Sequence, residues 1–285
     1  MPTAVVTRFA PSPNGEMHLG HAYAARLAHH AARKAGGRFL LRMEDIDRAR
    51  CRPEYEAQIL DDLAWLGLDW DGPVRRQSDR FAAYRAALNR LDALGVLYPC
   101  FCTRAEIRAE IAASAGAPHG PDGPLYPGTC RHLGADERGV RRASAVSYAL
   151  RLDVAQALAL VDGPLTWTDV RAGGIVADPP ALGDVVLARK DAPASYHLAV
   201  TVDDHAQGVT LVTRGEDLFQ ATHIHRLLQA LLGLDVPRYR HHRLIRNDAG
   251  VRLSKRDKAL SLAHLRAQGA RPADIWRLID DQLAA

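Results

Sequence analysis

Two histidines three positions apart, His18 and His21, follow a turn made rigid by Pro11 and Pro13, at the point where a helix begins. That arrangement suits phosphate. A helix N-terminus presents unsatisfied N–H groups and the positive end of the helix dipole. Two imidazoles at i and i+3 share one helical face, from which each can donate a hydrogen bond to a phosphate oxygen. Gly20 removes a side chain where a nucleotide must come close. Far downstream, Arg252-Leu253-Ser254-Lys255-Arg256 sets a hydroxyl beside one of only four lysines in the chain. An ammonium that meets phosphate groups as they separate stabilises a transition state more than a ground state. Taken alone, the first pair also fits surface histidines or half a metal site, and the second run fits a solvated basic loop.

A separate constellation is thiol-based. Cys100, Cys102 and Cys130 cluster in sequence, whereas Cys51 lies apart. In a chain that opens without an export signal, clustered cysteines read as metal ligands rather than as a disulfide framework. Structural zinc takes four ligands in a tetrahedron. The fourth can come from His119, Tyr126 or His132; histidine is the usual choice, and tyrosine is uncommon because its phenol must ionise.

The elements that position these groups alternate. Residues 5–10 read as a buried strand, 19–35 as a helix stopped by Gly36-Gly37, 38–43 as a second strand before the acidic loop Glu44-Asp45-Ile46-Asp47, and 53–66 and 80–94 as helices. The rhythm breaks between residues 98 and 180, where short β-like pieces (145–152, 165–169) flank a Gly/Pro-rich loop. It resumes with strands at 184–189 and 209–214, a helix at 218–232, a segment at 241–245 that leads by a hairpin-like stretch into the Ser254-Lys255 loop, and helices at 261–268 and 272–283. The expectation is an α/β fold, a doubly wound parallel sheet interrupted by an insertion. Its parts are residues 1–98, an inserted subdomain at 99–180, the second half at 181–235, and a terminal segment at 236–285.

Composition excludes little. At 285 residues, 47% hydrophobic and 25% charged, the chain is an ordinary globular protein with one or two cores. A net charge of +4 permits a polyanionic partner without demanding one. No segment reaches the roughly 20 apolar residues that span a bilayer, so a cytoplasmic protein without membrane contact is expected; a monomer is the default expectation.

The run Arg8-Phe9-Ala10-Pro11-Ser12-Pro13 leading to His18 and His21, with Ser254-Lys255 downstream, resembles glutamyl- and glutaminyl-tRNA synthetases, a subgroup of the class I aminoacyl-tRNA synthetases. The departures are Arg252 for the lysine that often opens the second motif and Arg256 for its closing serine. The resemblance implies a Rossmann-type catalytic core in which His18, Gly20, His21, Ser254 and Lys255 bind ATP with its Mg2+, and His18, His21 and Lys255 stabilise phosphate charge. It also implies a glutamate pocket made by Arg8, Phe9, Ala10, Pro11, Ser12, Glu44, Tyr196 and Arg214. Guanidinium groups suit the two carboxylates of glutamate, an acid suits its ammonium, and strand carboxyl ends are where open α/β sheets bind ligands. Without the resemblance, Arg8 reads as a surface ion pair and Tyr196 as core packing. Asp203-Asp204-His205 and Gly215-Glu216-Asp217 also match family motifs, as groups that orient neighbours or contact ribose and RNA.

The pattern Cys-x-Cys followed by Tyr-x-x-x-Cys is similar to the zinc site of the short glutamyl-queuosine tRNA(Asp) synthetases, which implies Zn2+ on Cys100, Cys102, Tyr126 and Cys130. A further 30 residues after Lys255 are too few for the anticodon-binding domain of a glutamyl-tRNA synthetase, so none is expected. The implied partner is tRNA(Asp) bearing queuosine, with ATP and L-glutamate as the other substrates. The competing readings are a truncated glutamyl-tRNA synthetase that charges tRNA(Glu), a catalytically silent RNA-binding paralogue, and a metal-dependent hydrolase built on His18 and His21.

Overall fold

The structure is a computed structural model that describes residues 4–113, 119–120, 123–144, 147–245 and 261–284. The chain opens with strand β1 (Val6–Phe9), helix α1 (Leu19–Lys34) and strand β2 (Arg38–Met43). Both strands are almost wholly buried, and they pair in parallel with Val6 opposite Arg38. The buried stripe of α1 consists of Leu19 and four alanines, Ala22, Ala25, Ala28 and Ala32. These small residues let the helix lie close on the sheet, close enough for Thr7 Oγ1 to donate to the Ala28 carbonyl at 2.8 Å. Gly37 answers the same tightness at the return into β2, since a Cβ there would collide with the Val5 carbonyl.

Helix α2 (Pro53–Trp65) starts on a proline and leads to the two-residue strand β3 (Arg75–Arg76), parallel to β2. A 3-10 turn then feeds α3 (Phe81–Ala93). The inserted region holds β4 (Leu97–Cys100), α4 (Arg104–Ala113), the small hairpin β5 (His119–Gly120) and β6 (Gly123–Pro124), α5 (Ala135–Ala143), β7 (Ala149–Leu152) and α6 (Val154–Ala159). After β8 (Thr166–Asp169) and β9 (Gly173–Val176) come β10 (Val186–Ala188), α7 (Tyr196–Ala206), β11 (Leu211–Gly215), α8 (Ala221–Leu232) and β12 (Arg238–His242). Helices α9 (Leu262–Ala267) and α10 (Pro272–Ala284) follow. Among the described residues no helix is long and apolar enough to cross a membrane.

Strands β1, β2 and β3 form one parallel run, and β11, β12 and β8 another with β9 antiparallel at its edge. The runs meet side by side where Thr210 donates its N–H to the Val6 carbonyl and accepts from the Val6 N–H, both at 2.9 Å. The order is thus β3-β2-β1-β11-β12-β8-β9. The chain winds outward from β1 through β2, then returns to the other side of β1 through β11. The switch point lies between β1 and β11, where open α/β sheets bind ligands.

This is the doubly wound parallel sheet expected from the sequence, with differences of detail. Strands β8 and β9, placed in the insertion by sequence, extend the main sheet. Strand β10, placed in the second half, pairs instead with β7 in a three-stranded antiparallel sheet, β10-β7-β4. Strand β12 begins at Arg238, before the segment expected at 241, and it runs parallel to β11 rather than into a hairpin. Alternation of arginines with Tyr239 and His241 hides this strand from a search for apolar runs. Helices α4, α5, α6 and α7 were not anticipated. Helix α7 carries Val200, Thr201 and Val202, which favour strands, yet it is started by Ser195, whose hydroxyl accepts from Leu198 N–H.

Two cores flank the sheet. One lies among α1, α2 and α10, with Phe39, Leu41, Ile275 and Ile279 fully buried. The other lies among α3, α7 and α8. Inside the second, Asp203 of α7 is fully buried and accepts from Tyr84 Oη of α3 at 2.7 Å and Gln77 Nε2 at 3.2 Å. A buried acceptor left short of partners costs about 1–3 kcal/mol. Tyr84→Phe is therefore expected to lower unfolding free energy by roughly that amount, measured by urea denaturation with an unchanged m-value.

Candidate active site

Arg8 is the penultimate residue of strand β1 and Arg214 that of β11, side by side at the switch point and only 4% and 5% exposed. Arg8 donates through Nε to Asp204 Oδ1 at 3.0 Å and through Nη1 to the Thr213 carbonyl at 3.2 Å. The same Asp204 oxygen lies 2.9 Å from Arg42 Nη2. Arg42 is fully buried on β2 and also donates to Gln207 Oε1 at 2.8 Å. Burial pulls the Asp204 carboxyl upward, but the guanidiniums of Arg8 and Arg42 outweigh it and hold the group below the usual carboxylate range. Asp203 and Asp204 thus orient neighbours, one of the two roles their sequence motif implied.

Glu44 follows β2. Its N–H donates to the Pro11 carbonyl at 2.9 Å, which brings the acidic loop against the first motif. The carboxylate stands 3.8 Å from Arg42 Nη2. Burial pushes the Glu44 carboxyl up to about 7, only partly opposed by Arg42 and Arg8. Phe9 packs its side chain into the first core, and Pro11 is buried. Ser12 sits beside them, its carbonyl accepting from Asn14 N–H at 2.9 Å.

Arg214 is held by a ring of acceptors. Its Nε donates to His241 Nε2 at 3.1 Å, Nη1 to Tyr196 Oη and to His225 Nδ1 at 3.3 Å each, and Nη2 to Thr222 Oγ1 at 2.6 Å. Its guanidinium carbon lies 5.2 Å from the Tyr239 ring centre. Burial, with Arg214 adding to it, pulls His241 and His197 down to about 4 and His225 well below its ordinary value. The imidazoles stay neutral, and the guanidinium is the single cation of this ring.

His18 is the N-cap of α1. Its Nδ1 accepts from Gly20 N–H at 3.1 Å, while His21 Nδ1 accepts from His18 N–H at 3.2 Å, a capping box made of two histidines. Since each Nδ1 accepts, the Nε2 of each ring is the nitrogen that carries a proton, an N–H of the type phosphate takes. Gly20 has a role sequence did not suggest: a Cβ there would stand 3.0 Å from His18 Cε1 and crowd the capping ring. Ser254 and Lys255 lie outside the described residues. Ser261, six positions after Lys255, bridges to His18, and Leu262 N–H donates to the Met17 carbonyl at 2.8 Å.

A cavity of about 1160 Å³ is lined by Tyr196 and His197 together with a wall that includes Cys100, Cys102 and Tyr126. The Sγ atoms of Cys100, Cys102 and Cys130 all lie within 4.8 Å of one another and can hold a metal ion. Tyr126 Oη is 3.4 Å from Cys100 Sγ and 3.7 Å from Cys102 Sγ, and it accepts from Cys130 N–H at 2.9 Å. His132 is exposed and not part of this group, and the His119 side chain lies outside the described residues.

The structure therefore gathers Arg8, Glu44, Tyr196 and Arg214 at one switch point and the three cysteines with Tyr126 at another wall. Sequence reasoning missed Arg42, Asp169, Thr222, His225 and His241. For Arg42 a signal existed, an arginine inside the otherwise apolar strand Phe39-Leu40-Leu41-Arg42-Met43. For the others there was none, because their meeting depends on β8, α8 and β12 packing together.

Residues 4–280 match the model of the family described as tRNA synthetases class I (E and Q), catalytic domain, and the chain belongs to that family. The chain is 57% identical over 280 residues to a protein of Rhodobacter capsulatus named glutamyl-Q tRNA(Asp) synthetase, covering 96% of this chain and 99% of that one. It is 47% identical to a protein of the same name from Symbiobacterium thermophilum, covering 94% of this chain and 83% of that one. Among solved structures, the glutamate-tRNA synthetase of Elizabethkingia anophelis superposes with a TM-score of 0.74 at 31% identity, over 90% of this chain and 53% of that one.

The raised Glu44 carboxyl has a signed consequence. A group that binds its proton more tightly when folded contributes stability that is complete below the unfolded-state value near 4.5 and is lost as pH rises through about 7. Between those values the slope of stability against pH contains up to ~1.4 kcal/mol per pH unit from this one group. Glu44→Gln is expected to remove that slope, which denaturation curves recorded from pH 4.5 to 8 will show.

Proposed function

We propose that this chain activates L-glutamate with ATP without help from tRNA, and then transfers the glutamyl group to the queuosine base at the wobble position of tRNA(Asp). The observation that carries this reading is the 57% identity along nearly the whole length of the Rhodobacter capsulatus glutamyl-Q tRNA(Asp) synthetase. The cytoplasm, where tRNA is modified, is the compartment this reading implies.

In the first step the α-carboxylate oxygen of glutamate attacks the α-phosphorus of MgATP. The bond to pyrophosphate breaks, and glutamyl-adenylate remains. His18 and His21 donate Nε2–H to phosphate oxygens from the start of α1, and Gly20 keeps His18 in that pose. Ser254 and Lys255 stabilise the charge that builds on pyrophosphate. Arg8 and Arg214 receive the two carboxylates and Glu44 the ammonium. Tyr196 adds its hydroxyl, and residues 9–12 form the adjoining wall. In the second step a hydroxyl oxygen of the queuosine cyclopentene ring attacks the acyl carbon; AMP leaves and the hydroxyl proton is released. Positioning and electrostatics carry the activation, so no general base is assigned. The cavity between Tyr196 and the cysteine wall offers room for the acceptor nucleotide.

Zn2+ fits the thiol group. Sulfurs bound tetrahedrally at ~2.3 Å stand about 3.8 Å apart, and Cys102 Sγ and Cys130 Sγ are 3.4 Å apart already. Cys100, Cys102, Cys130 and Tyr126 would hold it, and its contribution there is structural, a cross-link within the insertion.

The expected results are these. With glutamate and no tRNA, the protein exchanges pyrophosphate into ATP, and Lys255→Ala loses exchange while keeping its fold. Labelled glutamate enters tRNA(Asp) from queuosine-replete cells and not from queuosine-deficient ones. Absence of exchange would sink the activation reading, and labelling of tRNA(Glu) at a base-labile 3′ ester would replace the acceptor reading with a charging enzyme. For the metal, elemental analysis should find one zinc per chain, lost in the Cys100→Ser/Cys102→Ser double variant. Tyr126→Phe that binds zinc with undiminished affinity would remove the phenol from the ligand set.

A further inference from the structure

A guanidinium has five N–H donors and no acceptor, so the partners of Arg214 can be counted. Nε–H is spent on His241, both Nη1 hydrogens on Tyr196 and His225, and one Nη2 hydrogen on Thr222. One Nη2 hydrogen has no partner among the described residues. Because arginine can only donate, His241 Nε2 and His225 Nδ1 must both be lone-pair nitrogens. Each ring therefore carries its proton on the opposite side. For His241 that proton lies on Nδ1, 2.8 Å from Asp169 Oδ2; for His225 it lies on Nε2, 3.3 Å from His197 Nδ1.

The Asp169 end of this relay is rigid. Its Oδ1 accepts from the N–H groups of Arg171 and Ala172 at 2.8 and 3.0 Å, and Oδ2 accepts from both the N–H and the ring Nδ1–H of His241. Every lone pair that faces His241 is thus an acceptor, and the other tautomer would set two N–H groups against each other at Arg214. Asp169 is 2% exposed and comes from β8, His241 from β12 and Arg214 from β11, so three adjacent parallel strands fix one side chain.

We propose that Asp169 and His241 are positioning residues for Arg214. Together with His225 and Thr222 they accept from it and fix its plane, so that Arg214 Nη2–H and Tyr196 Oη–H are held as donors toward the end of the substrate side chain. A carboxylate satisfies both donors. The isosteric carboxamide offers a single oxygen and no charge to the same two donors, and its NH2 group meets only the one lone pair left on Tyr196 Oη, the kind of mismatch by which such sites discriminate. The inference rests on the reading of Arg214 as a carboxylate-binding residue. It goes beyond that reading by assigning glutamate-over-glutamine selectivity to a hydrogen-bond relay that ends on Asp169.

The test uses the full-length, metal-loaded enzyme in tRNA-free pyrophosphate exchange with glutamate and with glutamine. His241→Gln can turn its carbonyl to Arg214 and its NH2 to Asp169; His241→Leu can do neither. The expected result is that His241→Leu raises KM for glutamate by roughly ten- to a hundredfold and shrinks the glutamate/glutamine ratio of kcat/KM, while His241→Gln restores both to within a few-fold of wild type. Asp169→Asn should behave like His241→Leu, since the turn N–H groups hold its carbonyl and force its NH2 towards His241. In the wild type, imidazole 15N shifts should report His241 protonated on Nδ1 alone. Wild-type KM and selectivity in His241→Leu, or a wild-type His241 protonated on Nε2, would overturn the relay. Arg214→Ala separates the two levels. If it binds glutamate normally, the role of Arg214 itself falls; if it loses glutamate while His241→Leu does not, only the relay falls.

Discussion

One buried carboxylate, Asp204, joins the halves of the doubly wound sheet on the charged side of the switch point. It reaches from α7 to Arg8 at the end of β1 and to Arg42 within β2. A buried ion pair contributes little net stability, because desolvation offsets most of the attraction, but removing one member leaves an uncompensated charge. Two buried guanidiniums around one carboxylate leave a positive excess in a place that water hardly reaches. Glu44 stands 3.8 Å from Arg42 and yet titrates far above an ordinary glutamate, since burial outweighs the nearby cations. The site thus carries a surplus of positive charge poised for an anion, beside an acid that a cationic group can draw into its ionised form.

The same economy of charge governs the other half. Three imidazoles surround or adjoin Arg214, and burial holds all of them neutral. Protonation of any one would set like charges against each other in a low-dielectric pocket. Neutral rings can instead act as acceptors, which a buried arginine needs in number. Keeping a guanidinium buried therefore takes a shell of lone pairs, and the shell is drawn from strands β8 and β12 and helices α7 and α8.

Legibility in the sequence divided along this line. Local features were readable: the proline turn, the His18/His21 spacing, the strand–helix alternation and the Cys-x-Cys run each depend on neighbours within a few residues. Arg8, Glu44, Tyr196 and Arg214 were found through a resemblance, because nothing local separates Arg8 from a surface arginine; the structure buries it to 4% exposure. The shell was illegible. Asp169 and His241 are 72 residues apart and meet only because β8 and β12 pair through Asp169 and Tyr239. Helix α7 was hidden by β-branched residues that favour strands in isolation, a local preference overridden by packing against α3 and α8. The assignment of β8 to the main sheet escaped for a related reason, since a four-residue strand alternating Thr, Trp, Thr and Asp carries no sign of the sheet it joins.

The insertion is tied to this centre by shared side chains. Tyr126 belongs to the cysteine group through its hydroxyl and to the cavity wall through its ring, over which Arg151 of β7 lies at 3.7 Å. Next to Cys130, Arg131 pairs with Asp184 at 3.1 Å, and the same Asp184 accepts from Tyr98 Oη of β4 at 2.6 Å and from Val154 N–H at 3.1 Å. Asp184 precedes β10, which runs on through Ser195 to Tyr196. The thiol group and the cavity are thus joined by two routes of contact, one through Tyr126 and one through Arg131 and Asp184. Neither route passes through Arg8, Glu44 or Arg214, so mutation can separate the thiol group from the switch point.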